Sequence, residues 1–286
     1  SGAFYIDEPG SLWKGKTLYK LYQQAYTPWE WHEPIFNRCR ELGLIAFSTP
    51  FDETAVDFLE DMNVPAYKIA SFENNHIPLI RKTAATGKPL IISTGMASIA
   101  EIDEAVNAAR ESGCKDMALL KCTSTYPAEP IDTNLRTIPH LRQLFDVEVG
   151  LSDHTLGIGV GTASVALGAT VIEKHFTLSR ADGGIDSAFS LEPDEMKLLV
   201  EETFNAWQAI GKIYYGATRK EEASIVYRRS IYVVSDVRKG DEFNTKNILV
   251  IRPGDGLAPK YYDVILGRRA VCDIKRGTPM DWKYFG

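Results

Sequence analysis

From residue 43 onward the chain repeats one unit: a short β-branched apolar run, a polar punctuation, then a segment of helical period. The runs are GLIAFSTPF (43–51), AYKIAS (66–71), PLIIST (89–94), MALLKCTS (117–124), VEVGLS (147–152) and ATVIEKHF (169–176). Between them lie DETAVDFLEDMN, IAEIDEAVNAARESG and GVGTASVALG, whose apolar residues recur at helical spacing. Strands that alternate with helices imply parallel βαβ units, and strands covered on both faces read as unbroken apolar runs.

The strand ends narrow the fold further. They carry Ser48 and Thr49, Ser71 and Glu73, Ser93 and Thr94, then Lys121, Thr123 and Ser124. The last two carry Ser152, Asp153 and His154, then His175 and Thr177. A (β/α)8 barrel brings all its strand carboxyl ends to one mouth, whereas an open doubly wound sheet gathers its ligand at a single crevice. Polar groups spread over every strand end therefore predict the barrel. Any single Ser or Thr there is more often a helix cap; the recurrence carries the expectation.

A barrel needs eight strands, and residues 1–42 do not supply the first two. They read as an aromatic, loop-like opening and then a helix from Pro28 to Leu42. The expected fold is thus α/β, a TIM barrel lacking about its first two strands, either as a fragment or with those strands upstream. Thr177 to Pro193 reads as an active-site loop, rich in glycine and charge. A helix follows from about Glu192 to Ile210. The expected divisions are a barrel domain over 1–212, a charged linker over 213–227 and a small, mostly-β domain over 228–286. In that last domain the strands are read as SIYVVSDV and GRRAVCDI, separated by KG, RPGDG and RG turns.

A net charge of −6 argues against a general nucleic-acid or polyanion binder. No apolar run approaches the roughly 20 residues of a membrane span, and no signal peptide opens the chain. Cys39, Cys114, Cys122 and Cys272 lie far apart without CxxC spacing, which suits reduced thiols in a cytoplasm. Lys68 sits within a strand, where an unpaired ammonium is costly, so an anion is expected beside it.

The stretches AYKIASFE, PLIISTGM, LLKCTSTYPAEP, GLSDHTLG, EKHFTLSR and DSAFSLEP resemble the sialic acid synthase family. RRSIYVV, DVRKGDEF, IRPGDGLAPKY and ILGRRAVCDIKRGTP resemble the antifreeze-like (SAF) domain that follows such barrels. YKIASFE, AYTPWEWHE and SRADGGIDSAFSLEP are most similar to the branch of the family that makes pseudaminic acid. The resemblance implies condensation of phosphoenolpyruvate with an N-acetylated amino sugar, assisted by a divalent metal, Mn2+ or Mg2+. Precursors of legionaminic and N-acetylneuraminic acid are the alternative sugars.

On this resemblance His154 and His175, at consecutive strand ends, are the metal ligands and, with Glu73, the catalytic candidates. Asp153 is expected to orient one imidazole from behind. Lys68, Ser71, Ser93 and Ser124 are assigned to phosphoenolpyruvate, although residue by residue Ser93 reads equally as a helix cap and Ser124 as a turn residue. Glu73, Thr49, Tyr126 and Asp186 are assigned to the sugar, Asp186 being otherwise a solvated loop charge. Some members have Asn in place of Ser124 and Gly in place of Ala70 and Phe72, departures that suit a less hydroxylated sugar. Arg252 matches an arginine that reaches the neighbouring subunit's barrel, which implies a domain-swapped homodimer; read alone, it is an exposed loop arginine. A glutamate and a Lys-x-Gln pair that the family carries on its first two strands are not found in this sequence. Two other readings stay open: a Schiff-base aldolase using Lys68, Lys121 or Lys174, and a noncatalytic barrel that binds carbohydrate.

Overall fold

A computed structural model describes residues 2–7 and 11–286; residues 1 and 8–10, part of the expected loop-like opening, lie outside the described residues. The chain divides into two compact units, the second running from Lys212 to Gly286.

The first unit is built on one parallel sheet. Its strands are β1 (Tyr67–Ile69), β2 (Leu90–Ser93), β3 (Met117–Cys122), β4 (Glu148–Asp153) and β5 (Val171–Lys174), in spatial order β1-β2-β3-β4-β5. Two helices, α1 (Leu18–Ala25) and α2 (Trp29–Glu41), come first, and α3 (Glu53–Asp61) leads into β1. The crossovers are α4 (Ile77–Ala84), α5 (Ile99–Glu111), α6 (Thr137–Phe145) and α7 (Gly159–Ala166), and α8 (Pro193–Ile210) closes the unit. Helix starts are set by local chemistry. Asp52 accepts from the Ala55 amide at 2.9 Å, and Ser98 and Glu101 form a reciprocal capping box at the head of α5.

Successive side chains on a strand point to opposite faces, and here the two faces have different jobs. Tyr67, Ile69, Leu90, Ile92, Leu119, Val149 and Leu151 pack against Val56, Leu79, Ile80, Ala105, Val106, Ile138 and Leu141 of the helices as one core. The other parity, Lys68, Ser93, Cys122, Ser152 and Glu173, lies on the inner face. Gly150 shares it, and a Cβ there would sit 2.7 Å from Leu120 Cδ2 and 2.9 Å from Val171 Cβ.

The sheet is curled, and one contact measures the curl. Lys68 of β1 and Glu173 of β5 occupy opposite edge strands, about 19 Å apart if the sheet were flat. Their side chains meet with Nζ 3.3 Å from Oε2. Five parallel strands thus form an arc of a barrel.

Five strands form where six were expected. The stretch 43–51 joins no ladder among the described residues, and Ile45 is 80% exposed. A strand is defined by its partners, and among the described residues β1 is hydrogen-bonded only to β2. Thr49 therefore lies on an unpaired segment rather than at a strand end.

The second unit holds its own core of Ile231, Val233, Phe243, Ile248, Ile265 and Met280. Its antiparallel pair joins β6 (Ser230–Val233) to β7 (Ile248–Ile251). The second strand read from the sequence, GRRAVCDI, is replaced in that role by ILVI. The GRRAVCDI stretch makes only single bridges, Arg269 to Glu242, Ala270 to Phe285 and Ile274 to Val237. Residues 213–227 belong to this unit and include the 3-10 turn Glu222–Tyr227, whose Val226 carbonyl accepts from the Gly254 amide at 2.8 Å.

Candidate active site

His154 follows the last residue of β4 and His175 the last residue of β5, so neighbouring strands deliver the two rings side by side, with centroids 5.2 Å apart. Both backbones are pinned. The His154 carbonyl accepts from the Ala128 amide at 3.0 Å, and the His175 carbonyl from the Leu191 amide at 2.8 Å. His154 Nδ1 lies 2.9 Å from the Thr123 carbonyl. A carbonyl only accepts, so Nδ1 carries the hydrogen and the neutral ring keeps its lone pair on Nε2. His175 Nδ1 faces Asp186 Oδ2 at 3.5 Å, which sets up the same tautomer.

The two rings titrate in opposite directions. Burial works against charge on His154, but bonds to the Cys122 thiol and Thr123 carbonyl outweigh it and raise its pKa. Burial depresses His175, and the neighbouring His154 adds to that against the pull of Asp186. Tyr126 stands 4.4 Å from the His154 ring and Phe189 4.9 Å from that of His175, enclosing the pair. Trp13 packs on Tyr126 at 5.7 Å and donates its indole N–H to the Ile185 carbonyl at 3.2 Å.

The pair suits a divalent cation: two unprotonated nitrogens at one mouth, each ring fixed from behind by an acceptor. No group of three or more His, Cys, Asp or Glu able to hold an ion occurs among the described residues.

Below the pair lies a pocket of donors. Ser71 Oγ accepts from the Gly95 amide at 3.1 Å, and Asn74 Nδ2 donates to the Gly95 carbonyl at 3.0 Å. A Cβ on Gly95 would overlap Ser124 Oγ and lie 2.7 Å from Ser71 Oγ, so glycine is what lets these hydroxyls converge. Ser93 Oγ is buried with no hydrogen-bond partner. It does not cap α5; Ser98 does. A buried orphan hydroxyl on the inner face that Lys68 shares suits an acceptor supplied from outside the chain.

Glu73 is half-buried, its Oε2 has no partner, and burial raises its pKa despite nearby Lys68. Burial also pushes Tyr126 up to about 12, so it stays a neutral donor. Thr49 makes no hydrogen bond with these groups. Arg252 is exposed on the second unit, at the end of a loop held by Ser230, whose Oγ donates to the Pro253 carbonyl at 2.7 Å.

Asp153 corrects an expectation. Its Oδ2 lies 2.7 Å from Lys174 Nζ, and its Oδ1 accepts from the Thr155 amide and hydroxyl. Strand parity explains this: if His154 faces inward, Asp153 faces the helices. The Thr123 carbonyl orients the ring instead. The same parity sends Lys174 outward, into an ion pair almost wholly buried, and with it Lys121, which donates to the Cys122 carbonyl at 2.7 Å. Of the three lysines considered as Schiff-base nucleophiles, only Lys68 stands on the inner face, and it is paired with Glu173. Gly95, Asn74, Phe189, Trp13 and Glu173 were not singled out from the sequence. For Glu173 the signal was there, two residues before His175 on the same strand face.

Known protein families match both units of the chain. The NeuB family matches residues 2–215 and the SAF domain residues 228–285. The chain is 43% identical over 271 residues to a pseudaminic acid synthase of Campylobacter jejuni, covering 95% of this chain and 79% of that protein. It is 37% identical to an N,N'-diacetyllegionaminic acid synthase of the same species, over 85% of this chain and 74% of the other. Among solved structures, the spore coat polysaccharide biosynthesis protein SpsE of Bacillus subtilis superposes with a TM-score of 0.63 at 34% identity, covering 100% of this chain and 84% of that one. With a barrel arc that presents two histidines over a cradle of hydroxyls, followed by a SAF domain, the chain belongs to the NeuB family.

Proposed function

We propose that the protein condenses phosphoenolpyruvate with a diacetamido-trideoxy-altrose to give pseudaminic acid and phosphate. The observation that carries this is the pair of imidazoles with free Nε2 atoms beside a lysine-and-serine cradle for an anion. Similarity to the pseudaminic acid synthase, higher than to the legionaminic one, favours that sugar.

His154 and His175 would hold a divalent ion, Mn2+ or Mg2+, which when bound polarises the sugar aldehyde as a Lewis acid. Lys68, Ser71, Ser93 and Ser124 hold the phosphate and carboxylate of phosphoenolpyruvate, leaving its C3 directed toward the aldehyde carbon. As that bond forms, water adds at C2 and phosphate leaves. Glu73, kept protonated more readily than an exposed carboxyl, supplies a proton toward the former aldehyde oxygen. Tyr126, Thr49 and Asp186 bind sugar hydroxyls and acyl groups, and Tyr126 with Phe189 excludes water from the ring faces.

Arg252 is assigned to the N-acyl group of the sugar in a second subunit, which makes the working form a domain-swapped homodimer. Residues 228–286 hold more Arg and Lys than Asp and Glu, while the acidic excess lies in the first unit, a polarity that favours their pairing. Four free thiols suit the cytoplasm.

The test is phosphate release by the full-length protein, offered phosphoenolpyruvate with each of the three sugar precursors. Release with the altrose sugar, lost on chelation and in His154→Ala and His175→Ala, is expected. Turnover that survives chelation or either substitution would overturn the assignment, and preference for another precursor would move it to the legionaminic or sialic branch.

A further inference from the structure

Glu173 has no part in the chemistry above, yet from the edge strand β5 its side chain reaches Lys68 of the opposite edge strand. Its Oε1 accepts from the Ser152 hydroxyl at 3.2 Å, and its Oε2 faces Lys68 at 3.3 Å. Lys68 has 12% of its side chain exposed, too little for water to satisfy an ammonium, and Glu173 has 33%. A lysine destined for an anion has therefore been given one of its own.

Given the assignment of Lys68 to phosphoenolpyruvate, we propose that Glu173 is a resident counter-ion that the substrate displaces. A single carboxylate neutralises the ammonium while the site is empty. The incoming substrate brings a phosphate and a carboxylate, hence more charge and more acceptors, and Lys68 exchanges partners. Glu173 keeps its hydrogen bond to Ser152 and, being one-third exposed, turns its freed oxygen to water. No proton moves and no bond is made or broken. The arrangement makes the site selective, because a weak monoanion gains too little to evict the carboxylate, whereas the phosphoester does.

The experiment is calorimetric titration of phosphoenolpyruvate, and separately of inorganic phosphate, into the full-length protein and its Glu173→Gln variant. Glutamine keeps the size and the Ser152 hydrogen bond but no longer competes for Lys68. Binding of both anions is expected to tighten by roughly two- to fivefold, the scale of one partly exposed charge contact. Unchanged or weaker binding would overturn the proposal. Glu173→Asp, whose shorter carboxylate withdraws from Lys68, should show a smaller tightening and serves if the glutamine variant does not fold. Lys68→Ala separates the two ideas. If it still binds both anions as wild type does, the placement of phosphoenolpyruvate fails; if it loses them while Glu173→Gln binds no tighter, only the counter-ion does.

Discussion

At His154 one hydrogen bond, from Nδ1 to the Thr123 carbonyl, decides what the other nitrogen can do. The same bond, with that from Cys122, raises the ring's pKa against the effect of burial. A protonated imidazole cannot ligate, so the raised pKa makes protons compete for this ring at higher pH than for a free histidine. Mn2+ affinity, measured by calorimetry, should therefore fall by up to about tenfold per pH unit below that pKa. Equal affinity at about pH 8 and pH 6 would remove His154 from the ligand set. Asp153 gives the opposite kind of prediction. Asp153→Asn leaves the buried Lys174 ammonium without a charge partner and should cost about 3 kcal/mol in denaturant unfolding. Mn2+ affinity should stay unchanged, which an orienting role for Asp153 would not allow. The sequence made the histidines legible because two rings at consecutive strand ends have few other uses. It misassigned Asp153 because adjacency along the chain was read as adjacency in space, when alternation on a strand separates neighbours to opposite faces.

Among the elements, the loop between β5 and α8 is held by Arg180. Its guanidinium reaches Glu195 at 2.5 Å and its amide donates to Glu192 at 2.8 Å, so the loop is fastened to the capping box that starts α8. That fastening positions Asp186 and Phe189 against His175. Arg180→Ala is expected to raise the KM for the sugar several-fold more than that for phosphoenolpyruvate and to speed proteolytic cleavage within residues 177–192. Equal effects on both substrates would mean the loop does not serve the sugar side. The helices read from the sequence were legible almost to their ends, since caps such as Asp52, Ser98 and Glu192 stand beside the apolar period they initiate, but α1 lies in the stretch read as loop-like and α4 and α6 were not read. Strands were less so. LIAFST has every strand preference but no ladder, and ILVI was passed over beside the conspicuous RPGDG turn. Pairing is a property of two segments, and propensity describes only one.

For the whole molecule, the proposed exchange has the basic SAF module of one subunit serve the barrel mouth of another. Mixing Arg252→Ala protein with His175→Ala protein should restore activity to about a quarter of wild type, because one site in a mixed dimer then has both its histidines and its arginine. Mixed dimers that form and stay inactive would refute the exchange. The barrel itself was legible from the distribution of polar strand ends; its curvature was not, since no single strand encodes it. That curvature has a mechanical side. Lys68 and Glu173 tie the first strand of the arc to the last, so the ammonium assigned to the substrate is also a clasp on the frame. On the proposed exchange, filling the site opens that clasp, so saturating phosphoenolpyruvate should raise the melting temperature less in the wild type than in Glu173→Gln, where no clasp has to open first.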